Sequence, residues 1–501
     1  MNAAGRQFNN SIRTVRVEPS EPSRSERDSL GELQVPASAY WGINTARALE
    51  NFAISGRPIA EFPDLIVAYA QVKQAAARAN AEIGSLSAER AALIDAACEE
   101  IASGALLEQF VVDTVQCGAG TSTNMNVNEV IANRALELAG RAKGDYDHIS
   151  PNDHVNRSQS TNDTYPTALK LALHAALQRL LDEIDQLAKA FAAKAREFAG
   201  TLKVGRTQLQ DAVPMTLEQE FAAFAASLGD ARDALGQLAP MLRTTSLGAT
   251  AVGTGIAADP AYAGAAHRHL TGITGLELRL ADDLVAATSD SSVYVQFSGT
   301  LKRFAVQLSK ICNDLRLLSS GPQAGLGDIK LPERQAGSSI MPGKVNPVIC
   351  EVVNEVAFVV LGADVVVSLA AEAGQLQLNA FGPVIALSLL MSEKWLTAAL
   401  ITLREHCVEG IVANYEQLRE RASSFAGIVT AFTPFIGYQA AARIAKQALA
   451  TGQDVGGLIV QAGLMERVDV ATLLEPARLS GAERTPPNMT REYAQDRTTR
   501  E

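Results

Sequence analysis

Residues 165–199 read YPTALKLALHAALQRLLDEIDQLAKAFAAKAREFA, and Leu173, Leu177, Leu180, Ile184, Leu187 and Phe191 recur in them at steps of four and three. That alternation lays apolar groups along one stripe of an α-helix. Gly200 follows and is a natural stop, because glycine accepts the left-handed backbone of a helix C-terminus. A helix of this length spans roughly 50 Å. The rhythm returns at Leu217, Phe221, Phe224, Leu228, Ala231, Leu235 and Leu238, and again at Phe297, Leu301, Phe304, Leu308, Ile311, Leu315 and Leu318. Looser versions run over 348–371 and 387–401. Five such helices suit a bundle, and apolar faces left over call for partner subunits. The spacing therefore predicts a mainly α protein that is an oligomer.

Outward from this centre the pattern weakens. Residues 61–83 and 87–103 read as helices before the bundle, and 440–450 and 470–474 as shorter ones after it. The first 28 residues are polar. Glu18, Glu21 and Glu26 among the arginines spoil a transit-peptide pattern, so a disordered arm on a cytoplasmic protein is expected. The polar tail beyond Arg484 is expected to fray. The most apolar stretch, 356–371, contains Asp364 and reads as too short to span a bilayer. With 501 residues the chain exceeds what one core usually serves, so two or three domains are expected. A net charge of −11 supplies no bulk attraction for nucleic acid or an anionic membrane. Cys98, Cys117, Cys312, Cys350 and Cys407 lie far apart without a C-x-x-C, and no H-E-x-x-H exists, which argues against disulfides and a protein-built metal site.

Four segments break the helical rhythm and are dense in small polar residues. They are GAGTSTNMN at 118–126, SQSTND at 158–163, GRTQLQD at 205–211 and GSSIMPGKVNP at 337–347. Singly each has a plain structural reading. Asp163 or Thr164 would be the N-cap of the long helix, and Asp211 would cap one starting near Pro214. Together they supply many Ser, Thr and Asn donors and one lysine. The run from Gly321 to Pro347 has little periodicity and five glycines, the composition of a lid. Such a set suits a small carboxylate whose charge grows when a neighbouring carbon loses its proton, with a loop serine as base.

These four segments resemble those of the aspartase/fumarase superfamily, and GSSIMPGKVNP is similar to its signature loop. The likeness covers roughly residues 30–474. GRTQLQDAVPMTL, LPERQAGSSIMPGKVNP, SLGATAVGTG and AEAGQLQLN resemble the aspartate ammonia-lyase branch more than the fumarase branch. The resemblance implies a three-domain fold with a central five-helix bundle, four chains building a twenty-helix core. The divisions would be an arm at 1–28, an N-terminal helical domain at 29–158, the bundle at 159–413 and a small helical domain at 414–501. It implies reversible deamination of L-aspartate to fumarate and ammonia, in active sites shared between three subunits of a homotetramer. It requires no organic cofactor, with an activating divalent cation such as Mg as an addition and no metal-ligating residues assigned. The runner-up is a fumarate hydratase or another fumarate-forming lyase acting on a substituted aspartate.

Carried over position by position, Ser338 matches the catalytic base. Thr121, Ser160, Thr161 and Ser339 match the hold on the β-carboxylate. Thr207, Lys344 and Asn346 match the α-carboxylate clamp, Asn162 with Thr121 the grip on the amino group, and Met341 contributes backbone to the lid. Gln208 also belongs to the binding set, and it stands where fumarases and some aspartases carry a histidine. Glutamine shuttles no proton, which disfavours hydration and leaves ammonia loss open, since an ammonium already carries its proton. Glu218 and Gly382 also depart from the usual pattern. PNDHVN at 151–156 resembles a second dicarboxylate site of fumarases, with a buried, satisfied His154 as the plain alternative.

Overall fold

In the computed structural model of the chain, residues 22–481 and 483 are described. The fold is mainly helical, and the predicted stripes are where its long helices bury themselves. In order, strands β1 (Ser23–Asp28) and β2 (Gly31–Pro36) precede α1 (Ile43–Asn51), α2 (Pro63–Glu82), α3 (Ala88–Ala102), α4 (Thr121–Leu138) and α5 (Thr161–Glu197). A second hairpin, β3 (Leu202–Thr207) and β4 (Gln210–Thr216), leads into α6 (Leu217–Gly236). After α7 (Ala239–Leu242), α8 (Tyr262–Thr274) and α9 (Leu284–Ser289) come the long α10 (Ser292–Leu318), α11 (Val348–Glu372) and α12 (Gly382–His406). Shorter helices follow, among them Tyr438–Thr451 and Arg467–Leu473.

Two compact units emerge. One takes the described part of Met1–Leu181 with Asp233–Ala305 and Phe358–Thr397; the other takes Asp182–Arg232, Val306–Ala357 and the described part of Ala398–Glu501. In the first, Leu65, Ile66, Tyr69 and Val72 of α2 are buried, and Ala75, Ala76 and Ala79 let α3 and α8 approach its axis. Glu129 of α4 is sealed in this unit and accepts the backbone N–H groups of Gly42, Asn44 and Thr45, the orphan donors at the start of α1. In the second, Phe191 of α5 meets Phe221 and Phe224 of α6 at centroid distances of 5.9 and 5.5 Å, and Phe198 meets Phe221 at 5.0 Å. A separate core of Ile428, Phe432, Phe435, Ile444, Leu458 and Ile459 closes its C-terminal part.

The helix starts correct the sequence expectations. Ser160 caps α5, accepting the Asn162 N–H at 3.1 Å, while Asp163 accepts the Ser160 N–H at 3.0 Å. This is a capping box with Asp163 at its third position. Neither Asp163 nor Thr164 is the cap. Pro214 lies in β4 opposite Val204, so Asp211 caps nothing there. α6 instead opens with a Thr216–Gln219 box, each side chain bonded to the other's backbone N–H at 3.1 and 3.0 Å.

Two more expectations change, and one close contact is added. Residues 23–28 of the supposed arm form β1, held because Arg24 donates to the carbonyls of Pro36, Ala39 and Trp41; periodicity of apolar groups could not reveal such a polar strand. Residues 1–21 of the arm and the whole tail beyond Arg484 lie outside the described residues. The apolar stretch around Asp364 belongs to a 25-residue helix, long enough by length to cross a membrane. Its Asp364 is paired with Lys302 of α10 at 2.5 Å. Finally, although the cysteines are distant in sequence, the buried Cys350 and Cys407 bring their sulfurs to 3.8 Å as free thiols.

Candidate active site

In the first unit, two of the four segments meet at helix N-termini. Gly118, Ala119 and Gly120 all take positive φ and turn the chain sharply into α4. Gly120 has no alternative, because a Cβ there would sit 2.0 Å from the Tyr165 ring. Thr121 opens α4 exposed to solvent, with its hydroxyl on the Gly118 carbonyl at 2.7 Å. Gln116 accepts the Thr123 N–H from outside the helix at 2.8 Å. One turn on, Asn124 reaches across to α5: its Nδ2 donates to Thr161 Oγ1 at 3.2 Å, and Thr164 Oγ1 donates to its Oδ1 at 3.3 Å. Thr121, Ser160, Thr161 and Asn162 therefore belong to two joined helix starts, whose dipoles favour an anion.

The loop after α7 completes this cluster. Asp163, sealed from solvent, accepts N–H groups of Gly248 and Thr250, both at 3.0 Å. Burial lifts its carboxyl to about 6, with the backbone donors working against that rise. Asn162 Nδ2 donates to Ala251 O at 2.7 Å. Sequence reasoning gave this GATAV loop no role, although its left-handed Gly248 and Thr250 mark backbone shaped for a neighbour. It also missed Lys73, wholly buried on α2, whose pKa burial pulls down to about 7.

The other two segments lie in the second unit. Thr207 and Gln210 pair across a two-residue turn at Gln208 and Leu209, both left-handed at φ 53° and 62°. Such turns are usually built from Asn-Gly, and two ordinary side chains in that conformation are strained. Gln208 is thus presented at an exposed tip. The hairpin's base is fixed by the buried Asp328, which takes Arg206 at 2.7 Å, Arg421 at 2.9 Å and Lys203 at 3.4 Å.

Ser338 lies in a loop that folds on itself. Gly337 N donates to Lys344 O at 2.8 Å and Asn346 Nδ2 to Gly337 O at 3.1 Å. A Cβ at Gly337 would stand 2.7 Å from Lys344 O, so the crossing needs glycine. Ser338 Oγ accepts the N–H groups of Ile340 and Met341 at 3.1 and 3.0 Å. Both donors favour a negative oxygen. Ser339, Met341 and Lys344 are exposed. Lys344 and Asn346 line an open cleft of about 630 Å³ with Arg316, Lys330 and Glu351.

Each unit by itself thus offers groups suited to an anion: hydroxyls, amides and helix starts in the first, and in the second an exposed lysine and a serine oxygen that accepts two N–H groups. A family described as lyase matches residues 31–362, and one described as fumarase C C-terminus matches 428–481. The aspartate ammonia-lyase of Pseudomonas aeruginosa is 55% identical over 92% of this chain and 98% of its own length. The chain belongs to the aspartase/fumarase superfamily. A second superfamily member, the aspartate ammonia-lyase of Escherichia coli K12, is 49% identical over 91% of this chain and 96% of its own. Among solved superfamily structures, the cobalt-bound fumarate lyase:delta crystallin of Brucella melitensis superposes with a TM-score of 0.89 at 52% identity, covering 92% of this chain and all of that one. The class II fumarase of Schistosoma mansoni gives 0.86 at 33% identity, again covering 92% of this chain and all of that one.

No group of three or more His, Cys, Asp or Glu side chains fit to hold a metal exists among the described residues. At 151–156, His154 Nδ1 accepts the Ser150 N–H at 2.8 Å, so that ring nitrogen is already used within the segment.

Proposed function

We propose that this chain is a carbon–nitrogen lyase that reversibly converts L-aspartate to fumarate and ammonia. Its end-to-end likeness to aspartate ammonia-lyases carries the reading. Ser338, as the alkoxide, takes the proton from the carbon next to the β-carboxylate. The electron pair moves into that carboxylate and makes an enediolate-like dianion. Thr121, Ser160, Thr161 and Ser339 donate to it, and fixed donors of this kind each lower such barriers by roughly 3 kcal/mol. Collapse of the dianion breaks the C–N bond, whose electron pair goes to nitrogen, so the ammonium group leaves as NH3 with all three of its hydrogens and the carbon proton stays on Ser338. Thr207, Lys344 and Asn346 clamp the α-carboxylate, and Asn162, Thr121 and Gln208 surround the amino group. Met341 lends backbone to the lid.

The two N–H groups on Ser338 Oγ support its role as base. Gln208 at the hairpin tip supports deamination over hydration, because a hydroxide leaving group needs an acid there. An activating divalent cation such as Mg is an addition to be titrated; the described side chains offer it no ligand set, and no step runs through it.

We infer further that three chains of a homotetramer share each site, with the bundle at 159–413 between domains at 29–158 and 414–501, in the cytoplasm. The exposure of Phe358, Val365 and Leu369 on one stripe of α11, at 62%, 58% and 64%, supports a helix partner from another chain. The test is a substrate panel with ammonia detection and sedimentation of the same sample. Fumarate and ammonia from aspartate, in a tetramer, are expected. Turnover of malate with silence on aspartate would overturn the assignment, and full activity in a monomer would overturn the shared site.

A further inference from the structure

We propose that Lys73 is a positioning residue for this reaction: through the Asn124 amide it fixes the Thr161 hydroxyl as a donor to the carboxylate that gains charge. The inference rests on the lyase reading and adds to it a group outside the four segments.

Lys73 is fully buried, and its Nζ faces three amide oxygens: Asn124 Oδ1 at 2.7 Å, Gln159 Oε1 at 2.9 Å and Asn156 Oδ1 at 3.0 Å. Three acceptors match the three N–H bonds of an ammonium, whereas a neutral amine would set its lone pair against one of them. Asp163 and Cys98 are the titratable groups that act on it. The ammonium therefore dictates how the Asn124 amide points. Its Oδ1 is committed to Lys73, so Nδ2 must face the other way. Nδ2 donates there to Asn156 Oδ1 at 3.1 Å and to Thr161 Oγ1 at 3.2 Å. Thr161 then holds an incoming N–H, and its own proton is left for an acceptor elsewhere.

A hydroxyl is ordinarily ambivalent. It can turn its hydrogen to whatever neighbour accepts, and such a donor must reorient as charge appears. Here the amide on one side only donates, so the hydroxyl is set beforehand, which is the condition for stabilising a transition state more than a ground state. The bonds from ammonium through amide to hydroxyl also polarise one another in a buried setting. A lysine that merely glued α2 to α4 would contribute stability and no selective effect on turnover.

The experiment measures aspartate deamination by the full chain in the wild type, Lys73→Met, Thr161→Val and the double variant. Lys73→Met is expected to lower kcat by about 100-fold with KM little changed. In the Thr161→Val background the same change is expected to add little, because the relay's last member is gone. Unchanged kcat, a loss confined to KM, or fully additive losses in the double variant would each overturn the proposal. Should Lys73→Met fail to fold, Asn124→Asp replaces it. That near-isosteric change gives Thr161 an acceptor that draws its proton inward, and a kcat drop of the same order is expected, while a wild-type kcat overturns the relay. Wild-type protein without any turnover of aspartate would defeat the lyase reading itself, a result distinct from either.

Discussion

Around Asn124 the candidate donors are pinned to helix starts by side chains that are themselves buried. Asn124 and Asp163 hold Thr161, Ser160 and the Gly248–Thr250 backbone in one network. Between Gly337 and Asn346 the bonds that shape the chain close within the segment, and Ile340 is 86% exposed. The first group is preorganised by folding; the second is shaped locally and open to a partner.

Changes on the two sides should therefore fail differently. Ser338→Ala is expected to lower kcat by about 1,000-fold with the unfolding midpoint unchanged. Steady-state kinetics beside a thermal melt checks this, and a wild-type rate would remove the open loop from the chemistry. A third region, the β3–β4 hairpin, is braced from below: Asp328→Ala removes the buried carboxylate that Arg206 and Arg421 share and leaves Lys203 to Glu220 alone. A loss of about 3–5 kcal/mol in denaturant unfolding is expected. A loss below about 1 kcal/mol would erase the distinction between a braced hairpin and a free one.

Leu209→Gly tests the open tip of that same hairpin. Relief of left-handed strain is expected to raise stability by about 1 kcal/mol, read as a higher denaturation midpoint. The smallest effect concerns His154. Burial, with Arg90 and Arg157 nearby and Asp153 opposing, holds its pKa below the ordinary 6.5. Protonating Nδ1 would also displace the Ser150 N–H. Its contribution is thus present above pH 6.5 and lost as pH falls through the folded value. Wild type should lose slightly more stability than His154→Gln on going from pH 7.5 to 5.5, and parallel curves would exclude it.

How much of this was legible beforehand follows from which forces are local. The stripes at Leu173–Phe191, Leu217–Leu238 and Phe297–Leu318 could be read because helix periodicity is a property of neighbours, and every residue named on them is buried. The capping boxes were equally local, yet Ser160-x-x-Asp163 was read too late, at the acid or Thr164, and Thr216-x-x-Gln219 too early, at Asp211 before Pro214. The β3–β4 hairpin was missed because Gln208-Leu209 carries none of the usual turn chemistry.

By itself the sequence determined helix class and superfamily, because these depend on spacing and residue type, and from the same spacing it proposed the residues for a site. The tertiary structure decided which of those residues are locked. Lys73 stands 51 positions before Asn124, and Thr161 another 37 after it. No periodicity relates them. They are joined because an ammonium removed from water must find oxygens wherever the fold provides them.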